Sequence, residues 1–464
     1  MTDEFAAVVS RVRERVTPTP AERERLEDVV NDLTDRAEEA VADLPVDADV
    51  LLVGSTARNT WIAGDRDIDL FVSFPPDLDR EDLERYGLQV GHAVLPDGHE
   101  EYAEHPYVVG EYDGYEVDCV PCYNVEDATD IQSAVDRTPF HTRYLESRLD
   151  HDLADEVRVC KQFFKAIGVY GSDLRTRGFS GFLTELLVVE YGGFRPLVEA
   201  AADWHPPVEL DPEDHGEESF EDPLVVIDPT DPERNVAAVL SAENVARLQH
   251  HARELLADPR EELFERTERD PFSAADVREA VADRGTTPVA LRFTAPDIVE
   301  DQLWPQLEKS RAGIAAELDR RGFDVFRSDA FATDGAGDGS DEDDAGGETA
   351  VVLFELAVAE RPRVERHEGP PVHVREHARG FSEKYADSEE YGPFVDGDRY
   401  VVERAREFTT AADLLSSDAL FEMALGAHVE SSLAAGYDVL VGEEIASLAD
   451  SFGAELAAYF DPRP

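Results

Sequence analysis

The sequence predicts a multidomain α+β protein, and three observations carry that expectation. Its 464 residues exceed what a single hydrophobic core usually organises. The first 142 residues alternate strand-like with helix-like segments. The middle of the chain then turns helical, and strand signals return near residue 287.

The elements follow in order. Thr19-Pro20 caps the segment AERERLEDVVNDLTDRAEEAV, with Pro20 at the first helical position. Leu26, Val29, Val30, Leu33 and Ala37 fall near the 3.6-residue period. The run 49–53 reads as a buried strand ended by Gly54-Ser55, with a short helix through Thr60. A second strand covers 67–73 and a helix covers 80–94. Segments 107–112 and 115–120 flank Asp113-Gly114, a two-residue hairpin turn. This gives a small mixed domain over 1–142. Domain 143–262 is helical, with EVRVCKQFFKAIGVYG, FSGFLTELLVVEYGG and a helix at 241–256. A polar loop at 205–222, a short strand at 225–228 and the Asp-Pro turns at 228–232 interrupt it. The last domain, 263–464, places strands at 287–293 and near 323–326 around a helix at 302–320. A low-complexity acidic tongue, 334–348, precedes a strand at 350–357. The tail from residue 409 reads as mostly amphipathic helix, and no internal repeat is visible.

Composition narrows the function. The chain carries 104 acidic and 43 basic residues, a formal net charge of −61. With 42% hydrophobic residues it is not a disordered acidic chain. Its only lysines are Lys161, Lys165, Lys309 and Lys384. An acid-rich, lysine-poor surface suits molar salt, where the Debye length falls to roughly 3 Å and self-repulsion is screened. Against that background the basic islands at 137–148, 158–177 and 361–384 point to phosphate contacts. No apolar run is long enough to span a membrane, and the first 20 residues lack a secretion signal. Three cysteines cannot staple a chain of this size, so a cytoplasmic location is expected.

The chemistry concentrates in Gly54-Ser55, Arg58 and Asp67-Ile68-Asp69-Leu70. On a strand, Asp67 and Asp69 project to one face while Ile68 and Leu70 face the core. Paired carboxylates repel unless a cation lies between them, and oxygen ligands favour Mg²⁺ or Mn²⁺. Gly54 lets the backbone approach a phosphate, with the Ser55 hydroxyl and the N–H groups of the following turn as donors. Asp118, on the apolar strand 116–120, is the third acid. If its strand neighbours that of Asp67 and Asp69, the trio is a ligand set for two-metal nucleotidyl transfer. Cys119 and Cys122 have no second pair and are expected to pack in the core. His373 and His377 lack the glutamate pattern of a zinc site.

The stretch GSTARNTWIAGDRDIDLFVSF resembles the signature of the DNA polymerase β-like nucleotidyltransferases, in the form carried by archaeal class I CCA-adding enzymes. The resemblance runs on through AEHPYVVGEYDGYEVDCVPCY, IQSAVDRTPFHTRYL, VRVCKQFFKAIGVYG, RGFSGFLTELLVVEYG, ERNVAAVLSAENVARL and PDIVEDQLWPQLEKS. It implies a polymerase β-like palm, a helical neck and an RNP-like C-terminal domain with a helical tail. It implies addition of C, C and A to the tRNA 3′ end from CTP and ATP. Asp67, Asp69 and Asp118 are then Mg²⁺ ligands, and Ser55 and Arg58 phosphate contacts. His141, Lys161, Tyr170 and Arg177 become further nucleotide contacts, and a homodimer is implied.

Alternatives stay open at single positions. His141 is also placed to cap structure near Thr138-Pro139, and Tyr170 to fill the core beside Gly168 and Gly171. Arg234 is either a reader of the base edge shared by cytosine and adenine or a salt-bridged arginine at a helix start. Residues 361–384 are the candidate grip on the tRNA backbone. A poly(A)- or oligoadenylate-type polymerase, and a non-catalytic tRNA-binding module, are the competing functions.

Overall fold

The computed structural model describes residues 2–102, 104–267, 269–333 and 348–464. The acidic tongue at 334–348 thus lies outside the described residues except for Glu348. The chain divides into two compact units, 1–267 with Pro464, and 268–463.

The first unit contains α1 (Thr2–Val16), α2 (Pro20–Ala42), β1 (Asp49–Val53), α3 (Gly54–Ala57), β2 (Asp67–Phe74), α4 (Arg80–Val94), β3 (His99–Tyr102), β4 (Pro106–Tyr112) and β5 (Tyr115–Tyr123). These are followed by α5 (Thr138–Glu146), α6 (His151–Ala166), α7 (Gly181–Tyr191), α8 (Phe194–Ala202), β6 (Val208–Leu210), β7 (Leu224–Asp228), β8 (Asp231–Asn235) and α9 (Ala242–Ala257). The palm sheet has the order β1-β2-β5-β4-β3. Only β2 and β5 run parallel; the other neighbours are antiparallel. Helices α2 and α4 bury Leu26, Val29, Leu33, Leu83 and Val90 with Ile68, Leu70, Val117 and Cys119 of the sheet. Thr19 and Glu22 form a reciprocal capping box that starts α2, as Thr19-Pro20 foretold. Asp113 and Gly114 both take positive φ, the requirement of a tight hairpin turn of this hand.

A second core lies among α6, α7, α8 and α9, around Phe163, Phe164, Leu186, Leu187 and Phe194. Helix α1 joins this core through Phe5, Val8, Val9, Val12 and Val16. No sequence expectation covered α1. Its apolar stripe is interleaved with Arg11, Arg13 and Arg15, which pair with Glu261, Glu156 and Glu265. The loop 205–222 also holds the short strand β6, paired with β7.

The second unit contains α10 (Ala274–Arg284), β9 (Thr287–Thr294), α11 (Glu300–Arg321), β10 (Val325–Ala332), β11 (Thr349–Leu356), β12 (Val364–Pro371), α12 (Arg375–Tyr385), β13 (Tyr391–Asp396), β14 (Arg399–Ala405), α13 (Ala411–Leu415), α14 (Ala427–Ala435), β15 (Tyr437–Val441) and α15 (Ala449–Phe460). Its main sheet has the order β10-β11-β9-β15 and is wholly antiparallel. With α11 and α14 as crossovers this is the expected RNP-like arrangement. Alternate residues of β9 and β11 feed two cores: Leu291 and Val352 pack with α11 and α14, Ala290 and Val351 with α10 and α15. Strands β12, β14 and β13 form a separate small sheet that bears α12. The tail is helical, as expected, except for β15. Its five residues, YDVLV, close the edge of the main sheet beside β9.

Candidate active site

Parallel pairing of β2 with β5 sets Asp69 directly opposite Asp118, with Asp67 two residues earlier on the same strand. All three therefore leave the sheet on one face, while Ile68, Leu70, Val117 and Cys119 are buried on the other. None of the three carboxylates has a hydrogen-bond or ion-pair partner among the described residues. Burial raises the pKa of all three. Asp65 adds to the effect on Asp67; Asp67 adds to it on Asp69, where Arg58 and Lys161 oppose. Asp118 is pushed up to about 7, by burial first and then by Asp69 and Glu116. Nearby cations offset this only in part and none among the described residues pairs directly with the set, and every donor is a hard oxygen. The set fits a divalent cation of the Mg²⁺ or Mn²⁺ type.

The three sets of oxygens do not converge within 4.8 Å of one another. Among the described residues the trio that does is His250, His251 and Glu254. There one Glu254 oxygen is taken by Arg260 and the other faces His251 at 3.3 Å, so the cluster is already internally paired.

Gly54 has φ +71°, and a Cβ added there would lie 1.8 Å from Asp69 Oδ2. Only glycine permits this approach of the turn to the carboxylate. The Thr56 hydroxyl clasps the turn to β2 by donating to the Asp67 carbonyl at 2.9 Å. Ser55 is half-buried, and its hydroxyl has no partner among the described residues.

Arg58 and Lys161 turn inward behind Asp69. Arg58 donates through Nε to Glu185 Oε2 at 2.6 Å and through Nη1 to Thr142 Oγ1 at 3.2 Å. Lys161 donates to Glu185 Oε1 at 2.8 Å and to the Thr60 carbonyl at 3.2 Å. The Thr60 hydroxyl donates to the same Glu185 oxygen at 2.7 Å. Burial alone would raise Glu185, but the Lys161 and Arg58 charges outweigh it and hold the carboxyl at about 2. One buried acid between two cations leaves a net positive charge facing Asp69. The side chains of Arg58 and Lys161 are only 7% and 2% exposed, so in this conformation they contribute charge rather than open surface.

His141 and Arg234 meet at Asp228. His141 Nε2 lies 2.8 Å, and Arg234 Nη1 2.7 Å, from Asp228 Oδ2. Burial lowers the His141 pKa, against the pull of Asp228. Its ring lies flat on Phe182, with centroids 3.7 Å apart and planes 8° from parallel. Helices α5 and α7 thus serve both clusters: α5 supplies His141 and Thr142, α7 supplies Phe182 and Glu185.

Tyr170 is half-buried against the helical core, with Lys165 Nζ 5.5 Å from its ring centroid. Arg177 is exposed, at φ +50°, and its carbonyl receives the Ser241 N–H at 2.9 Å. Cys119, Cys122 and Cys160 are free and buried, and burial pushes the Cys119 thiol up to about 12. The basic islands are only partly surface. Arg158 is fully buried and donates to the Trp61 carbonyl at 2.9 Å, and Arg137 pairs with Asp231 at 3.0 Å. A cavity of about 610 Å³ bordered by Val50, Ser73, Phe140 and Arg143 contains none of the three aspartates.

Sequence reasoning missed Thr60, Phe182, Glu185 and Asp228. Glu185 had a visible signal, a lone acid within the apolar run GFLTELLVV. Asp228 ends the apolar run LVVID, where the sequence shows only a strand end and the start of a turn.

Comparison with known families covers most of the chain. Residues 34–141 match the nucleotidyltransferase domain. Residues 155–265 match the second domain of tRNA nucleotidyltransferase, and 284–442 the C-terminal domain of CCA-adding enzyme. The CCA-adding enzyme of Haloarcula marismortui is 67% identical over the full length of both chains. That of Halorubrum lacusprofundi is 63% identical, again over both full lengths. That of Methanosarcina acetivorans is 40% identical over 95% of this chain and 94% of its own. Full-length identity at this level, on a palm that carries the acid trio, places the chain in the family of the CCA-adding enzymes.

Proposed function

We propose that this protein adds C, C and A to the 3′ end of tRNA from CTP and ATP, without a nucleic-acid template and with release of pyrophosphate. The observation that carries the reading is the register of β2 on β5, which sets Asp118 beside Asp69 on the face that also bears Asp67. These three aspartates are the ligands we assign to Mg²⁺. When bound, such ions lower the pKa of an attacking 3′-hydroxyl and stabilise the triphosphate and its leaving pyrophosphate.

The chain's own residues do the rest. Gly54 and Ser55 bring backbone N–H groups and a hydroxyl to the phosphates. Arg58 and Lys161 supply the positive field behind Asp69, and Glu185 keeps them in place. Tyr170 offers a ring for the sugar or base, and Arg177 an exposed charge at the rim. Arg234 presents guanidinium donors to the edge that cytosine and adenine share, an amine beside a ring-nitrogen acceptor. His141 supports that arginine through Asp228. The bases of 361–384, on β12 and α12 and the residues just before β12, grip the tRNA backbone. The domain limits we assign are 1–142, 143–262 and 263–464.

No described helix is long and apolar enough to cross a membrane. We place the enzyme in the cytoplasm of a salt-loving cell, as a homodimer; light scattering in molar KCl tests the second assignment. The function is tested with tRNA lacking CCA and each nucleotide in turn, with Mg²⁺ at high KCl. Three additions and a stop are expected. Unlimited A addition would indicate a poly(A)-type enzyme, and absence of turnover a binding module.

A further inference from the structure

Asp228 closes β7 with its side chain fully buried. Its Oδ2 accepts from His141 Nε2 and Arg234 Nη1, at 2.8 and 2.7 Å. Its Oδ1 accepts from the Thr230 backbone N–H at 2.9 Å and the Thr230 hydroxyl at 2.8 Å. Four donors saturate an ionised carboxylate. The carboxylate is therefore fixed from every side. Because it only accepts, His141 carries its hydrogen on Nε2, and the Phe182 ring holds that imidazole in plane.

Arg234 contrasts with its anchor. Of its five N–H donors, Nη1 alone has a partner among the described residues, and 35% of the side chain is exposed. One corner of the guanidinium is pinned and the rest of the fork opens outward.

A pinned fork can select a base where a loose one cannot. Cytosine and adenine offer a ring nitrogen that accepts beside an amine. Uracil and guanine offer an N–H at the corresponding ring position, which opposes a donor-only side chain. An arginine free to turn would escape that opposition by swinging to a neighbouring carbonyl of uracil or guanine. Discrimination therefore requires that the plane be held. We propose that Asp228 is a specificity-determining positioning residue: it clamps Arg234 so that the fixed guanidinium accepts C and A and rejects U and G. The inference rests on the reading of Arg234 as the base-edge contact.

The test uses the full chain in molar KCl with tRNA lacking its CCA end. The kcat/KM for CTP over UTP is measured at the first addition, and for ATP over GTP at the last. Each ratio comes from a single preparation, so it does not depend on the folded fraction. Asp228→Asn is expected to lower the ratios roughly 10- to 150-fold, the discrimination carried by one hydrogen bond from a charged donor. Thr230→Val removes one bond to Oδ1 but keeps the acid, and is expected to lower them less, in the same direction. It decides the matter if Asp228→Asn does not fold. In an Arg234→Ala background, Asp228→Asn is expected to change nothing further. Wild-type ratios in folded Asp228→Asn, or in Thr230→Val if that variant does not fold, overturn the clamp; so does a further fall on top of Arg234→Ala. If Arg234→Ala itself keeps wild-type ratios, the reading of Arg234 falls and takes the clamp with it. If Arg234→Ala loses selectivity and Asp228→Asn does not, the clamp alone is wrong.

Discussion

Two groups of acids in the first unit stand in opposite electrostatic states. On the palm, Asp67, Asp69 and Asp118 share one face with no hydrogen-bonding partner among the described residues, and their pKa values are raised. In the helical half, Glu185 and Asp228 are fully buried, saturated with donors, and held well below the usual carboxylate range. Burial penalises the charged form in both places. What separates them is compensation from the chain itself, complete through direct hydrogen bonds in one group and only partial, at a distance, in the other. The contrast teaches that a destabilised acid cluster marks where something else must bind, and that a satisfied buried acid marks what holds the binding groups still.

The largest effect that tests this contrast comes from the palm. Asp118→Asn or Asp67→Ala is expected to abolish nucleotide incorporation while tRNA binding persists. The same Asp118→Asn change is expected to stabilise the metal-free protein near neutral pH, because it removes a repelling charge. Thermal unfolding reads this as a rise, at roughly 2–4 °C per kcal/mol gained for a domain of this size. A fall in stability would break the comparison. Glu185→Gln is expected to do the reverse. It leaves Arg58 and Lys161 buried without their acid, a loss of roughly 3–5 kcal/mol measurable in denaturant titration.

The two groups also predict opposite pH slopes. The Asp118 carboxyl is raised from 3.8 to about 7 in the fold. Its protonation stabilises the metal-free fold below pH 3.8, and that contribution is lost as pH rises through 7. Glu185 is lowered from 4.5 to about 2. Its contribution is complete above pH 4.5 and is lost as pH falls towards 2. Stability against pH in chelator, for the native chain and each variant, is expected to lose one slope in Asp118→Asn and the other in Glu185→Gln.

Salt sharpens the same line more gently. Going from low to molar KCl is expected to shift the apparent pKa of Asp118, which is partly open to solvent, and to leave the buried Glu185 pair unchanged. The salt slope for tRNA binding is expected to be shallow, since an enzyme at home in molar salt must recognise the acceptor stem by shape. The smallest effect concerns Arg177, outside both groups. Arg177→Gly relieves a left-handed backbone, for a stability gain of about 1 kcal/mol. A drop in incorporation despite that gain would assign the arginine to the nucleotide.

The acid face was legible because it depends on local rules. Side chains two apart on a strand share a face, and a D-x-D between apolar residues follows that rule. Opposition of Asp69 and Asp118 was a wager on strand order, and the parallel β2–β5 register supports it. The buried networks were not legible, because Thr60, Lys161 and Glu185 come from three separate elements and no short-range pattern joins them. Arg158 and Lys161 read as bases of a phosphate-contacting island, and their burial was not visible, since sequence shows charge but not which way it points. Helix α1 escaped notice because charges interleave its apolar stripe. Strand β15 was hidden by helical segments before and after it.

The missing side chain at position 54 has a consequence for other sequences. The 1.8 Å left there is far inside any non-bonded contact, so an alanine cannot be accommodated without displacing the second palm acid. A relative that kept all three aspartates but lost this glycine would carry the ligands in the wrong place. Such a chain is expected to hold its metal less tightly than its acid motif suggests.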